Sequence, residues 1–142
     1  MEMKKELSLI GLPIALRMAS EVVGIDFLEI SALQDFFEKK QGWIELKDWM
    51  EMNDREIFSD LVRGNPPVNE MYGISDVSYR DDVGAFKFLG SEIDQFFGLY
   101  FEKFGECFFN GDVIFFVPKE RRLWIFHHEG SIYEWAHQEG LQ

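Results

Sequence analysis

At 142 residues, 46% of them hydrophobic and 16% aromatic, the chain is long enough to bury a core in one domain and too apolar for intrinsic disorder. Its 26 acidic side chains against 14 basic ones leave a formal charge of −12, which repels phosphate and so argues against nucleic acids and anionic membrane surfaces as partners. Cys107 is the only cysteine, which excludes an intrachain disulfide and a cysteine-rich zinc site.

The first twenty residues, MEMKKELSLIGLPIALRMAS, loosely copy a signal peptide: two lysines, an apolar run, then Ala19-Ser20. Glu6, Pro13 and Arg17 interrupt the run, and no segment reaches the ~18 uncharged apolar residues of a membrane span. A cytoplasmic protein with a single domain over residues 1–142 is the expectation. Leu12-Pro13 opens a helix, because proline is tolerated in a first turn. Residues 14–23 continue it with Ile14, Leu16, Ala19, Val22 and Val23 near one stripe, and Gly24 is a natural stop. Residues 25–31, IDFLEIS, read as a short strand or an extended link.

Ser31 is placed to cap a second helix through Lys40, with Leu33, Phe36 and Phe37 inward and Gln41-Gly42 ending it. Residues 43–62 read as one helix or two short ones, with a break at Asn53-Asp54. RGNPPVNEMYG, 63–73, carries the strongest breakers and reads as a loop. AFKFL, 85–89, alternates and predicts a strand ending at Gly90. Residues 92–105 fit either a helix spoiled by Gly98 or a pair of strands. The chain then supplies CFF, DVIFFV, RLWIFH and SIYEW, separated by turn signals at Asn110-Gly111, Pro118 to Arg121 and Glu129-Gly130. The whole predicts an α+β fold, N-terminal helices packed on a C-terminal, mainly antiparallel β-meander sheet.

Candidate chemistry is sparse. His127-His128-Glu129 stands before a turn, but neighbours on a strand point to opposite faces, so the two rings are not expected to share an ion. A zinc site wants about three protein ligands, and the third histidine, His137, lies past the next strand. No metal and no cofactor are therefore expected. Cys107 sits in an aromatic, strand-like stretch and reads as packing, and Arg121-Arg122 reads as a solvated turn. There is no G-x-S-x-G, no phosphate loop and no dinucleotide fingerprint, and among 26 acids a carboxylate pair carries little information. An enzyme is not expected.

A protein-binding face is. Glu45, Asp48, Glu51, Asp54, Glu56 and Asp60 are interrupted only by the cations Lys47 and Arg55. On a helix the first four would wind around the polar side. Trp49 is expected either as the buried anchor of this face, with the acids as its rim, or as part of the core; Trp43, Trp124 and Trp135 are further aromatic candidates. Most charge runs are solvated surface, and acidic surfaces also aid solubility.

Three short stretches resemble the SUKH superfamily, many of whose bacterial members are immunity proteins that neutralise toxins. Leu12-Pro13 with Leu16, followed by a helix and Gly24, is similar to its Leu-Pro start and glycine-ended helix. Phe88-Leu89-Gly90-Ser91 resembles its strand-glycine-small step, and Leu123 to Glu129 its late strand with an acid-histidine-glutamate ending. The match runs loosely over residues 12–136. Leu16 stands where an aromatic is usual, His127 where an acid is usual, and Ile25 where a second glycine often follows the first helix. The resemblance implies a non-catalytic α+β module that binds a cognate toxin, the C-terminal domain of a secreted effector. Many such toxins are basic nucleases, so an acidic face would cover the active site or substrate groove. The other expectation is a small acidic cytoplasmic regulatory or scaffold module without a toxin partner.

Overall fold

A computed structural model describes residues 6–27, 29–80 and 83–136. Residues 1–5 of the signal-like start, Leu28 and His137 lie outside the described residues. In chain order the elements are β1 (Ser8–Ile10), α1 (Leu12–Val23), α2 (Ile30–Glu38), β2 (Ile44–Glu45), α3 (Asp54–Val62), β3 (Glu70–Ile74), β4 (Ala85–Leu89), α4 (Ile93–Phe104), β5 (Val113–Val117), β6 (Arg122–Phe126) and β7 (Ser131–Ala136). Among the described residues the strands form one sheet in the order β1-β4-β3-β5-β6-β7-β2, with every neighbouring pair antiparallel.

The fold is α+β as expected, with helices mostly in the first half and strands mostly later. Its sheet, however, is covered on both faces. Met71, Phe86, Phe115, Trp124 and Phe126 point to α3 and α4, where they meet Ile57, Phe58, Leu61, Phe96, Phe97 and Tyr100. Tyr72, Ile114, Phe116, Leu123 and Ile125 point to α1 and α2, where they meet Ala15, Leu16, Ala19, Leu33 and Phe37. That is why VIFFV and RLWIF are buried at every position instead of alternating with polar residues. Each fully buried aromatic or aliphatic side chain is worth about 1.5–3 kcal/mol of transfer free energy, so these two strands hold the middle of both cores.

Several expected elements change once long-range partners are present. Of the short strand or link expected from residue 25, residues 25–27 are a link and no strand, the Phe27 backbone N–H donating to the buried Ser20 hydroxyl at 3.2 Å, which itself donates to the Leu16 carbonyl at 2.9 Å. Glu29, not Ser31, is the N-cap of α2, the helix ends at Glu38, and Phe36 is exposed beneath the Lys40 ammonium. Of the one helix or two short ones expected over 43–62, the divided form is found, a 3-10 turn at Trp49–Glu51 and then α3, while Ile44–Glu45 is a two-residue edge strand instead. The expected break at Asn53 stands, and Asn53 also starts the next helix: its side chain accepts from Glu56 N at 2.8 Å while Glu56 accepts from Asn53 N at 3.0 Å.

The loop read at 63–73 ends early, since Glu70–Ile74 is a strand between β4 and β5. Residues 93–104 are a helix, which closes the alternative left open at 92–105: Phe96, Phe97 and Tyr100 are buried on one side of it. CFF is not a strand and Asn110-Gly111 does not join two strands. The amides of Phe108 and Phe109 both donate to the Asp54 carboxylate, at 2.8 and 3.0 Å, which removes them from any ladder. The other two turns stand: a 3-10 turn at Pro118–Glu120 joins β5 to β6, and the Glu129-Gly130 turn joins β6 to β7.

Arg122 is not a solvated turn residue. It lies in β6, nearly buried, with its guanidinium 4.4 Å from the Trp124 ring centroid. It donates to Glu120 at 3.0 Å, to Glu134 at 3.2 Å and to the Asn65 carbonyl at 2.8 Å. Trp124 Nε1 donates to the same Glu134 carboxylate at 2.8 Å.

Candidate functional site

The acidic stretch begins at one margin of the sheet and continues into α3, which packs on a sheet face. β2 pairs with β7 at the edge, Ile44 opposite Ile132 and Glu45 opposite Ser131. Leu46 N then donates to the Gly130 carbonyl at 2.9 Å, tying the strand to the β6–β7 turn. Asp48 turns the chain with φ 57°, a left-handed conformation that aspartate tolerates better than most residues, and the 3-10 turn follows. Glu45, Asp48, Glu51, Glu56 and Asp60 are exposed. Arg55, one of the two cations in the stretch, is paired with Asp94 of α4.

Trp49 does not stand out as an anchor. Its ring meets Phe126 edge-on at 5.3 Å between centroids and covers Gly130, where an added Cβ would lie 2.1 Å from the indole. The exposed apolar side chain is its neighbour Met50, 82% accessible between Asp48 and Glu51. Sequence reasoning missed it because the larger aromatic was the obvious anchor; a flexible, polarizable thioether among acids was the available signal. Asp54 separates from the row altogether. Its carboxylate faces inward to Phe108 and Phe109, and burial pushes its pKa up against the lowering effect of those two amide bonds. Glu56 spends one carboxylate oxygen on the helix cap. The exposed side chains of the stretch are therefore Glu45, Asp48, Met50, Glu51, Glu56 and Asp60, with Trp49 half-buried, and Met50 with its neighbours Asp48 and Glu51 makes a small ledge.

A second cluster stands at the end of the sheet near that ledge. The expectation that His127 and His128 face opposite ways fails. Their ring centroids are 4.2 Å apart with an interplanar angle of 31°. The strand ends at Phe126, so strand alternation no longer governs the pair; His128 lies in the turn closed by Gly130 N donating to the His127 carbonyl at 2.8 Å. Asp112 joins them. Its Oδ1 accepts the His128 backbone N–H at 2.8 Å and lies 2.9 Å from His128 Nδ1. Burial pushes the Asp112 pKa up, but the bonds from the His128 ring and backbone overcome this and hold it below the usual carboxylate range. The same pairing raises the His128 pKa. Asp76, close to both, is pushed up by burial and then by the Asp112 charge.

Cys107 is exposed, and burial of its thiol followed by the charge of Asp54 raises its pKa, the opposite of what an activated nucleophile needs. Among the described residues no helix is long and apolar enough to cross a membrane. Comparison of the chain with protein-family models, with curated proteins and with solved structures found no match.

Proposed function

We propose that this chain is an immunity-type protein of the SUKH kind, which binds a basic, nuclease-type toxin domain in the cytoplasm and neutralises it by covering its active site or substrate groove. The observation that carries the reading is the exposed ledge in which Met50 stands between Asp48 and Glu51, with Glu45 and Asp60 on the flanking elements. An apolar contact rimmed by like charges is the arrangement by which an interface gains affinity from burial and association rate from its field. The net charge of −12 extends that field beyond the ledge. The resemblance at residues 12–24, 88–91 and 123–129 supports the same class, and no catalytic role is assigned to any residue.

The test is a pull-down of the full chain with the C-terminal segment of the large secreted protein encoded immediately upstream of its gene. A stoichiometric complex that abolishes the segment's toxicity is the expected result. No complex with that segment, together with toxicity unaffected by the chain, overturns the proposal and leaves the small acidic scaffold module as the reading to pursue.

A further inference from the structure

We propose that Asp112, His127 and His128 form a binding site for one divalent transition-metal ion, zinc by preference, independent of the toxin-binding function proposed above. One ligand atom from each of the three residues lies within 4.8 Å of the other two. Two imidazoles and a carboxylate are a donor set for zinc, nickel or cobalt, whereas magnesium and calcium take oxygen ligands.

The three side chains are brought together by backbone that is itself fixed. The β5–β6 register pairs Val113 with Phe126, so Asp112 enters the sheet beside His127. The turn is closed by His127 N donating to the Ser131 carbonyl and Gly130 N donating to the His127 carbonyl, both at 2.8 Å. Asp112 then clamps the turn by accepting the His128 backbone N–H. Trp49 lies against Gly130 and supports the turn from the core side. The ligands thus sit just beyond the ends of two hydrogen-bonded strands and in a closed turn, the kind of rigid frame a metal site needs.

The remaining adjustment is small. Around a tetrahedral ion with bonds of about 2.0–2.1 Å, ligand atoms lie roughly 3.3 Å apart. The three ligand atoms already lie within 4.8 Å of one another, and the His128 side chain is 55% exposed and has room to turn. The electrostatics favour a cation, because Asp76 lines the same recess as Asp112. Two carboxylates stand close together there, and a bound cation offsets the repulsion between them. Three protein ligands leave a position open toward solvent for water or for a ligand atom of another molecule.

The experiment is calorimetric titration of the tag-free, metal-free full chain with zinc chloride in a non-chelating buffer. One ion per chain with a micromolar dissociation constant is expected, weakened by about tenfold or more in His128→Ala and lost in the His127→Ala/His128→Ala double variant. His137→Ala binds as the parent chain does. Proton-detected NMR of the parent chain supplies a readout that needs no variant: two imidazole spin systems shift on zinc addition. Absence of stoichiometric binding, binding only at millimolar zinc, parent-like affinity in the double variant, or imidazole signals that do not move would each overturn the proposal.

Discussion

Trp49 and Met50 are adjacent and do opposite work. Trp49 fills the space between Phe126 and Gly130, so Trp49→Ala empties a half-buried site and should cost about 2 kcal/mol. Met50 touches solvent on most of its surface, so Met50→Ala should leave stability within about 0.5 kcal/mol. The same variant should speed dissociation of a bound toxin domain, because a buried anchor acts on the off-rate. Urea midpoints and surface-plasmon dissociation rates for the two variants check the pair. A stable Trp49→Ala with faster dissociation would return the anchor to the tryptophan. Gly111 carries a different constraint. Its φ is +151°, and an added Cβ would lie 2.2 Å from Asp76 Oδ2. Gly111→Val combines backbone strain with displacement of that carboxylate and should destabilise by about 2 kcal/mol. An unchanged denaturation midpoint would refute it.

At the scale of elements, α4 forms although Gly98 lies in its middle, because Phe96, Phe97, Tyr100 and the half-buried Phe104 seat one side of it in the core. Gly98 faces open space, with nothing within 4 Å of an added Cβ. Gly98→Ala should therefore stabilise by about 0.5–1 kcal/mol through helix propensity alone, visible as a raised thermal midpoint.

The β5–β6 connection is stabilised by charge instead. Burial would raise the Glu120 pKa, but bonds from Asn69 at 3.0 Å and Arg122 at 3.0 Å outweigh it and lower the value below the usual carboxylate range. A carboxylate lowered on folding contributes stability that is full above its unfolded pKa and lost as pH falls through the folded one. Glu120→Gln should cost about 1–2 kcal/mol at neutral pH. That gap between variant and parent should narrow as pH falls below the usual carboxylate range and through the lowered folded-state pKa, where the parent's carboxylate becomes protonated as well. Denaturant melts at pH 7 and pH 3 measure it; a gap undiminished at the lower pH would contradict the assignment.

For the whole molecule the dominant property is its negative field. The ledge residues Asp48 and Glu51 are exposed, and one cation of the stretch, Arg55, is taken by Asp94. Asp48→Lys with Glu51→Lys should slow association with a basic toxin domain and flatten its dependence on salt, while stability stays close to the parent's. Stopped-flow association at two salt concentrations decides. Rates identical to the parent at both would remove this ledge from the interface. The helix-covered faces leave the sheet margins and outer helix surfaces as the places where such a field meets a partner.

Much of this architecture could be read from local pattern. The strands at 113–117, 122–126 and 131–136, the helix after Leu12-Pro13, the two last turns and the acidic balance all follow from periodicity, breakers and composition, which act over a few residues. The rest depended on groups far apart in the chain. β3 was hidden in a breaker-rich stretch and exists because β4 and β5 supply its partners on either side. Phe108 and Phe109 have strand-like composition, yet a carboxylate 54 residues earlier takes their amides. Asp54, counted among surface acids from its spacing, is turned inward by that same bond. Which of two neighbouring apolar residues faces solvent is set by how Trp49 meets Gly130, and two consecutive histidines come together because the strand ends before them and Asp112 holds His128. A periodic pattern shows which side of an element is apolar. It carries no information about the long-range donor or ring that arrives to meet it, and at both candidate sites that arrival determined the chemistry.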